Sequence, residues 1–260
     1  MTQGTEDAGT VTAGYIGLLA PSEPDGRALA EQVAHQLETA ITIGLLNDGE
    51  RLPSEADLSA QLGVSTITLR QALASLRSRG LIATRRGRGG GSIVCGTAAV
   101  PVDEARRRLR DKSTEELRDL GDFCSAVATA SARLAALRAD GEDVQRLRGL
   151  CEEFRLADSV DALRRDDSRF HIGLGVAAQS RRLVASTVQI QGELTPLLWL
   201  PPAHQSRAGA AAREHAEIVD AIAAGDAARA QALAVAHCER DAETVIDGHL
   251  ELVLAAPKPT

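Results

Sequence analysis

Between Leu29 and Gly80 the apolar residues return every three or four positions in three short runs, each closed by a glycine, and small helices satisfy that pattern where strands do not. Leu29, Val33, Leu37, Ile41 and Leu45 set one face of a first helix against a core, and Gly44 with the Asn47-Asp48-Gly49 turn ends it. Ser54 stands ahead of Asp57 in a capping-box-like start, Leu58 and Leu62 follow, and Gly63 closes a second helix. Ser65 can cap a third, whose Leu69, Leu73 and Leu76 form a buried stripe and leave Thr66, Thr68, Arg70 and Gln71 outward as far as Arg79-Gly80. Two short helices about a tight turn make a helix-turn-helix, and the second of them is the one that enters a major groove.

A strand-like Leu81-Ile82-Ala83-Thr84 comes next, then Arg85-Arg86-Gly87-Arg88-Gly89-Gly90-Gly91, then Ser92-Ile93-Val94, which reads as a β-hairpin wing. Glycines let such a tip approach a sugar-phosphate backbone, and the arginines supply charge and forked donors. A nucleotide-cradling loop would need a Gly-Lys-Ser/Thr and a following helix start, and neither is present. Net charge is −7, yet from Leu58 to Val102 there are six arginines and no acidic residue, so a +6 segment rides on a body of −13. Association depends on the local field, so this asymmetry marks a nucleic-acid module joined to something else.

The run Gly44-x4-Gly49-x2-Leu52-Pro53-Ser54-Glu55-x2-Leu58-x3-Leu62-Gly63-Val64-Ser65-x2-Thr68-x-Arg70-x-Ala72-Leu73-x2-Leu76-x3-Gly80-Leu81 resembles the DNA-binding domain of GntR-superfamily regulators over roughly 65 residues. The resemblance implies DNA contacts from Ser65, Thr66, Thr68, Arg70 and Gln71 on the recognition helix and from Arg85, Arg86, Gly87, Arg88 and Gly89 of the wing. Ala56 and Thr66 stand where that family often has arginine. Each missing arginine removes a contact worth about 1–3 kcal/mol, so an altered operator preference is expected.

Beyond Pro101 no strand pattern recurs, and helices are expected over about 113–139, 143–159, 161–177, 180–199, 206–224 and 226–252, separated by Asp140-Gly141, Pro201-Pro202 and Gly225-Asp226. Pro196 should kink or end the fourth. Only 2% of residues are aromatic against 44% hydrophobic, so the cores must be built from Leu, Ala, Val and Ile, and the fold class is mostly α. The expected organisation is a disordered leader (1–27), a winged helix-turn-helix (28–97), a linker (98–112) and an all-α bundle (113–255). Neither a run of about 18 apolar residues nor a secretory signal is visible, so a cytoplasmic protein is expected. The scattered Cys95, Cys124, Cys151 and Cys238 suggest buried reduced thiols.

In Asp167-Ser-Arg-Phe-His171 an acid and an imidazole four residues apart leave one helical face and can converge on one ion. His215 and His237 fall on two successive helices that an antiparallel turn at Gly225-Asp226 could bring together, whereas His35, His204 and His249 have no comparable partners. This spacing resembles the FCD effector domain of FadR-type GntR regulators, and the resemblance implies a divalent metal held by Asp167, His171, His215 and His237. One Asp and three imidazoles suit Zn²⁺, Ni²⁺ or Mn²⁺. Many members carry an effector-clamping arginine where this chain has Cys124, and an asparagine where it has Gln179. The resemblance implies a homodimeric repressor on palindromic operator DNA, tuned by a small-molecule effector, a carboxylate, at the metal. Two rivals are a hydrolytic metal centre, kept open by Glu214 beside His215, and a purely structural metal with no effector.

Overall fold

In the computed structural model the described residues are 26–85, 87, 90–95, 100–201 and 204–255. They fall in two compact units, Met1–Ala99 and Val100–Thr260.

The first unit has α1 (Gly26–Thr42), α2 (Glu55–Leu62), α3 (Thr66–Ser78), β1 (Ile82–Arg85) and β2 (Gly91–Val94). Val33, Leu37 and Ile41 of α1 are buried with Leu58, Leu62, Leu69, Leu73 and Leu76, so the four-residue stripes meet in one core. Ser54 caps α2 by accepting the Asp57 N–H, and Ser65 caps α3 by accepting that of Thr68. Gly63 ends α2 at φ +67°, a left-handed conformation that an L side chain adopts only at a cost, and so makes the turn between the two helices. β1 and β2 pair antiparallel with Ile82 opposite Val94 and Arg85 opposite Gly91, which forms the wing. The leader expected to be disordered falls, up to residue 25, outside the described residues.

The second unit is entirely helical among the described residues: α4 (Val102–Asp111), α5 (Thr114–Arg138), α6 (Gly141–Arg155), α7 (Val160–Ala177), α8 (Arg181–Leu198), α9 (His204–Ala223) and α10 (Ala227–Leu254). Helix α4 corrects the expectation of a linker over 98–112. Seven of its ten residues are charged, so its apolar signal is only Val102, Ala105 and Leu109, of which the last two are fully buried and Val102 packs against the same core. Long α5 and α10 approach so closely that a Cβ on Gly121 would stand 2.8 Å from that of Ala242. One core gathers Leu117, Phe154, Leu197 and Trp199, and a second gathers Phe170, Leu174, Ile218 and Ile222. Pro196 lies inside α8, which ends two residues later. Gln179, just past α7, has φ +53°, a region asparagine enters more readily than glutamine. Its amide donates to the Arg138 carbonyl at 3.1 Å. Among the described residues no helix is long and apolar enough to cross a membrane.

Candidate functional site

On the first unit, Ser65, Thr66, Arg70 and Gln71 are exposed at the start of α3, and Arg85 and Gly87 are exposed on the wing. Arg86, Arg88 and Gly89 lie outside the described residues. Thr68 is not outward as the stripe implied. It is the third residue of a capped helix, its N–H donates to Ser65 Oγ, and its own hydroxyl lies 2.8 Å from that oxygen, so the side chain folds under the cap and is 9% exposed. The outward place belongs to Ile67, 69% exposed, which sequence reasoning passed over because an apolar residue reads as core. Arg70 Nε donates to Glu55 Oε2 at 2.7 Å, and both side chains are exposed. Such a surface pair costs little to break, so the guanidinium can be redirected to a phosphate or base.

On the second unit, α7, α9 and α10 bring the four inferred ligands together. The ring nitrogens of His171, His215 and His237 lie within 4.8 Å of one another. His237 Nε2 is 3.2 Å from His171 Nε2 and 3.3 Å from His215 Nε2. Asp167 Oδ1 stands 3.7 Å from His171 Nε2 and 3.6 Å from His215 Nε2. All four side chains are buried.

The surrounding groups fix where each donor points. Trp199 Nε1 donates to Asp167 Oδ2 at 3.1 Å, which leaves Oδ1 buried with no hydrogen-bond partner and facing the imidazoles. Phe170 stacks on His215 with ring centroids 3.8 Å apart, and Phe154 lies against the same ring at 4.9 Å. His237 Nδ1 lies 2.7 Å from Glu214 Oε2 and 3.1 Å from Arg207 Nη2. Arginine only donates, so the Nδ1 proton goes to Glu214 and the Nε2 side of His237 turns to its neighbours. Glu214 therefore fixes the orientation of the His237 ring. It also accepts from Arg207 and Arg240, which leaves it engaged on all sides rather than poised as a general base.

The charge balance also suits a cation. Burial, aided by the nearby Asp241 charge, pushes the Asp167 carboxyl above the ordinary range. Burial and the charge of His237 hold His171 and His215 well below the usual histidine value. Burial opposes a charge on His237, but Asp241 and Glu214 outweigh it and raise that group. Three imidazole nitrogens this close cannot all be satisfied by the protons they carry, and an unpartnered carboxylate oxygen faces them. The residues present thus fit a divalent ion.

A pH dependence follows for metal-free protein. The folded pKa values of His171 and His215 are depressed, so below about 6.5 the unfolded chain binds more protons at both and stability falls. Asp167 is raised, so the folded chain binds one more proton there down to about 3.8, which offsets one histidine. His237 is raised, and its contribution is complete below 6.5 and lost only as pH rises through its folded value. The histidines outnumber the acid that offsets them, so stability falls as pH drops below about 6.5. Below about 4.5 the loss steepens, because hydrogen bonds from His237 and Arg207 overcome burial and hold Glu214 at about 2. Urea midpoints of chelator-treated protein from pH 7 to 4 measure this, and a flat profile between 7 and 5 would contradict it.

Two members of this shell, Arg207 and Asp241, were missed by sequence reasoning. Arg207 is 6% exposed, its Nε donates to Asp241 Oδ1 at 2.7 Å, and its Nη1 is buried without a partner. Asp241, 1% exposed, follows His237 by four residues, the spacing that singles out Asp167 and His171. Cys124, at the place of the family's clamping arginine, is buried with its sulfur 3.6 Å from that of Cys238. Cys95 and Cys151 are only half-buried, short of the full burial expected. His249 Nδ1–H donates to the Leu109 carbonyl at 2.9 Å and takes no part in the cluster. A cavity of about 730 Å³ is lined by Phe154, Leu163, Ala212 and Arg213, and none of the four inferred ligands lines it.

Comparison with known proteins gives the same division of the chain. The family model for bacterial regulatory proteins of the gntR family matches residues 29–90, and that for the FCD domain matches 119–240. RmpR of Mycobacterium gastri, whose name places it among HTH-type transcriptional regulators, is 41% identical over 233 residues, covering 89% of this chain and 85% of that one. A protein of Escherichia coli K12 named for regulation of the L-lactate dehydrogenase operon is 29% identical over 223 residues, covering 81% and 84%. A solved GntR-type regulator from Rhodococcus sp. RHA1 superposes with a TM-score of 0.46 at 23% identity, covering 88% and 99%.

Proposed function

Since the chain belongs to the gntR family of bacterial regulatory proteins and carries an FCD domain, it is a DNA-binding transcription regulator and not an enzyme, and we propose that its second unit is a metal-dependent effector sensor. The observation that carries the reading is the convergence of three buried imidazoles on the unpartnered Asp167 Oδ1. Asp167, His171, His215 and His237 hold a divalent ion, Zn²⁺, Ni²⁺ or Mn²⁺, which when bound supplies a positive centre for an anionic effector. A small carboxylate is the effector class. The buried guanidinium of Arg207, whose Nη2 lies beside His237 and whose Nη1 has no hydrogen-bond partner, supports that class, as does the name of the relative tied to an L-lactate operon. The ligand cluster is closed to solvent in this state, so an effector must open the shell to enter. Its binding then favours one arrangement of the helices over another, which is the differential affinity that regulation requires.

The DNA function is exercised as a homodimer that represses from a palindromic operator. Ser65, Thr66, Arg70 and Gln71 on α3 and Arg85 with the other wing residues make the contacts, while Thr68 acts through the Ser65 cap. Exposed Ile67 suits the methyl group of a thymine, partly replacing the arginine absent at Thr66.

Elemental analysis of native protein beside an Asp167→Ala/His215→Ala variant tests the centre. The expected result is about one ion per chain in the native form and none in the variant. If both stay metal-free after incubation with Zn²⁺, Ni²⁺ and Mn²⁺, the sensor reading fails while DNA binding stands.

A further inference from the structure

We propose that Asp241 is a fifth protein ligand of this centre, held in place by Arg207, so that the site offers two carboxylate oxygens and three imidazole nitrogens. The inference rests on the metal reading above and goes beyond its four ligands.

Asp241 and His237 leave the same face of α10, one turn apart. The Asp241 carboxylate is divided between two tasks. Its Oδ1 accepts from Arg207 Nε at 2.7 Å and lies 2.6 Å from Arg207 Nη2. Its Oδ2 lies 3.3 Å from His237 Nε2, the nitrogen on which the other two imidazoles converge. A carboxylate can give both oxygens to one guanidinium, as Glu152 does toward Arg155 at 2.7 and 2.5 Å. Asp241 instead gives its whole guanidinium contact to one oxygen and turns the other inward. Asp167 shows the same division, with Oδ2 taken by Trp199 and Oδ1 facing the imidazoles. The two acids thus approach the cluster as mirrored pairs, Asp167-x3-His171 on α7 and His237-x3-Asp241 on α10.

The chemistry of the donor set follows. Asp167 and Asp241 each offer one carboxylate oxygen, and five donors of mixed nitrogen and oxygen suit a six-coordinate cation better than a tetrahedral one. One position is left, so the effector class is an anion that binds through a single carboxylate oxygen. A chelating 2-hydroxy acid would need two positions and would have to displace Asp241.

Co²⁺ is the probe, added to full-length native, Asp241→Asn, Asp241→Ser and Asp167→Asn proteins whose metal-free melting curves show them folded. Affinity is read by competition with a chromophoric chelator, and coordination by the visible absorption of the bound ion. The expected results are a weak native spectrum characteristic of six-coordination, and a roughly 10- to 100-fold loss of affinity with an altered spectrum in both Asp241 variants. An intense tetrahedral spectrum in the native protein, which needs no variant to fold, would overturn the inference. So would native affinity and spectrum in Asp241→Asn alongside weakened binding in Asp167→Asn, which would leave Asp241 as a counter-ion for Arg207 alone. Absence of Co²⁺ binding to the native protein would instead sink the metal reading itself.

Discussion

Stripping divalent metal from the native protein with a chelator should lower the melting temperature of the second unit by about 8–16 °C. An ion that binds only the folded chain stabilises it by an amount set by its concentration over its dissociation constant, about 4 kcal/mol at a thousandfold excess. For a unit of this size each kcal/mol moves the midpoint by about 2–4 °C. The effect has to be this direct because the ligands come from α7, α9 and α10, and no single helix presents the site in an unfolded chain. The Asp167→Ala/His215→Ala variant should melt at one temperature with and without chelator. Thermal scans in both conditions decide it: an identical native melting temperature with and without chelator would show that the cluster holds no metal. The first unit contains none of these ligands, so its transition serves as the internal control.

What could be read in advance was whatever one helix or one turn determines. Ser54, Gly63 and Ser65 are legible because a cap is a contact between residues three or four apart, and the structure places each at a helix end. The Asp167 and His171 pairing is legible for the same reason. Thr68 shows the limit. Its helical angle allowed either face, and the hydroxyl contact with Ser65 decided for burial, a competition that periodicity alone does not contain. Helix α4 escaped because its charge hides a three-residue apolar face, which acquires meaning only once α8 and α10 are there to cover it. Asp241 was within reach of the same i, i+4 rule applied to His237. Arg207 was not, because its role depends on α9 and α10 lying side by side, so that a residue two turns before Glu214 meets both Asp241 and His237.

Replacing that arginine should have the largest effect of any single substitution in the shell. Arg207→Met keeps most of the side-chain volume but leaves Asp241, 1% exposed, without the cation that neutralises it. Breaking a buried pair from one side costs about 3–5 kcal/mol, since the remaining charge keeps its desolvation penalty and loses its partner. Glu214 suffers less, because Arg240 and His237 still donate to it. Metal-free Arg207→Met should therefore melt about 6–20 °C below the native protein. Adding Asp241→Asn should recover most of that loss, because removing both charges removes the penalty that removing one exposes. The double-mutant cycle is the measurement, with urea midpoints for the four proteins in chelator. Additive losses would mean that the two side chains do not act as a pair. Coupling that is strong in chelator and shrinks when metal is restored would mean that a bound cation takes over the neutralising role of Arg207, because Asp241 then has a second positive partner.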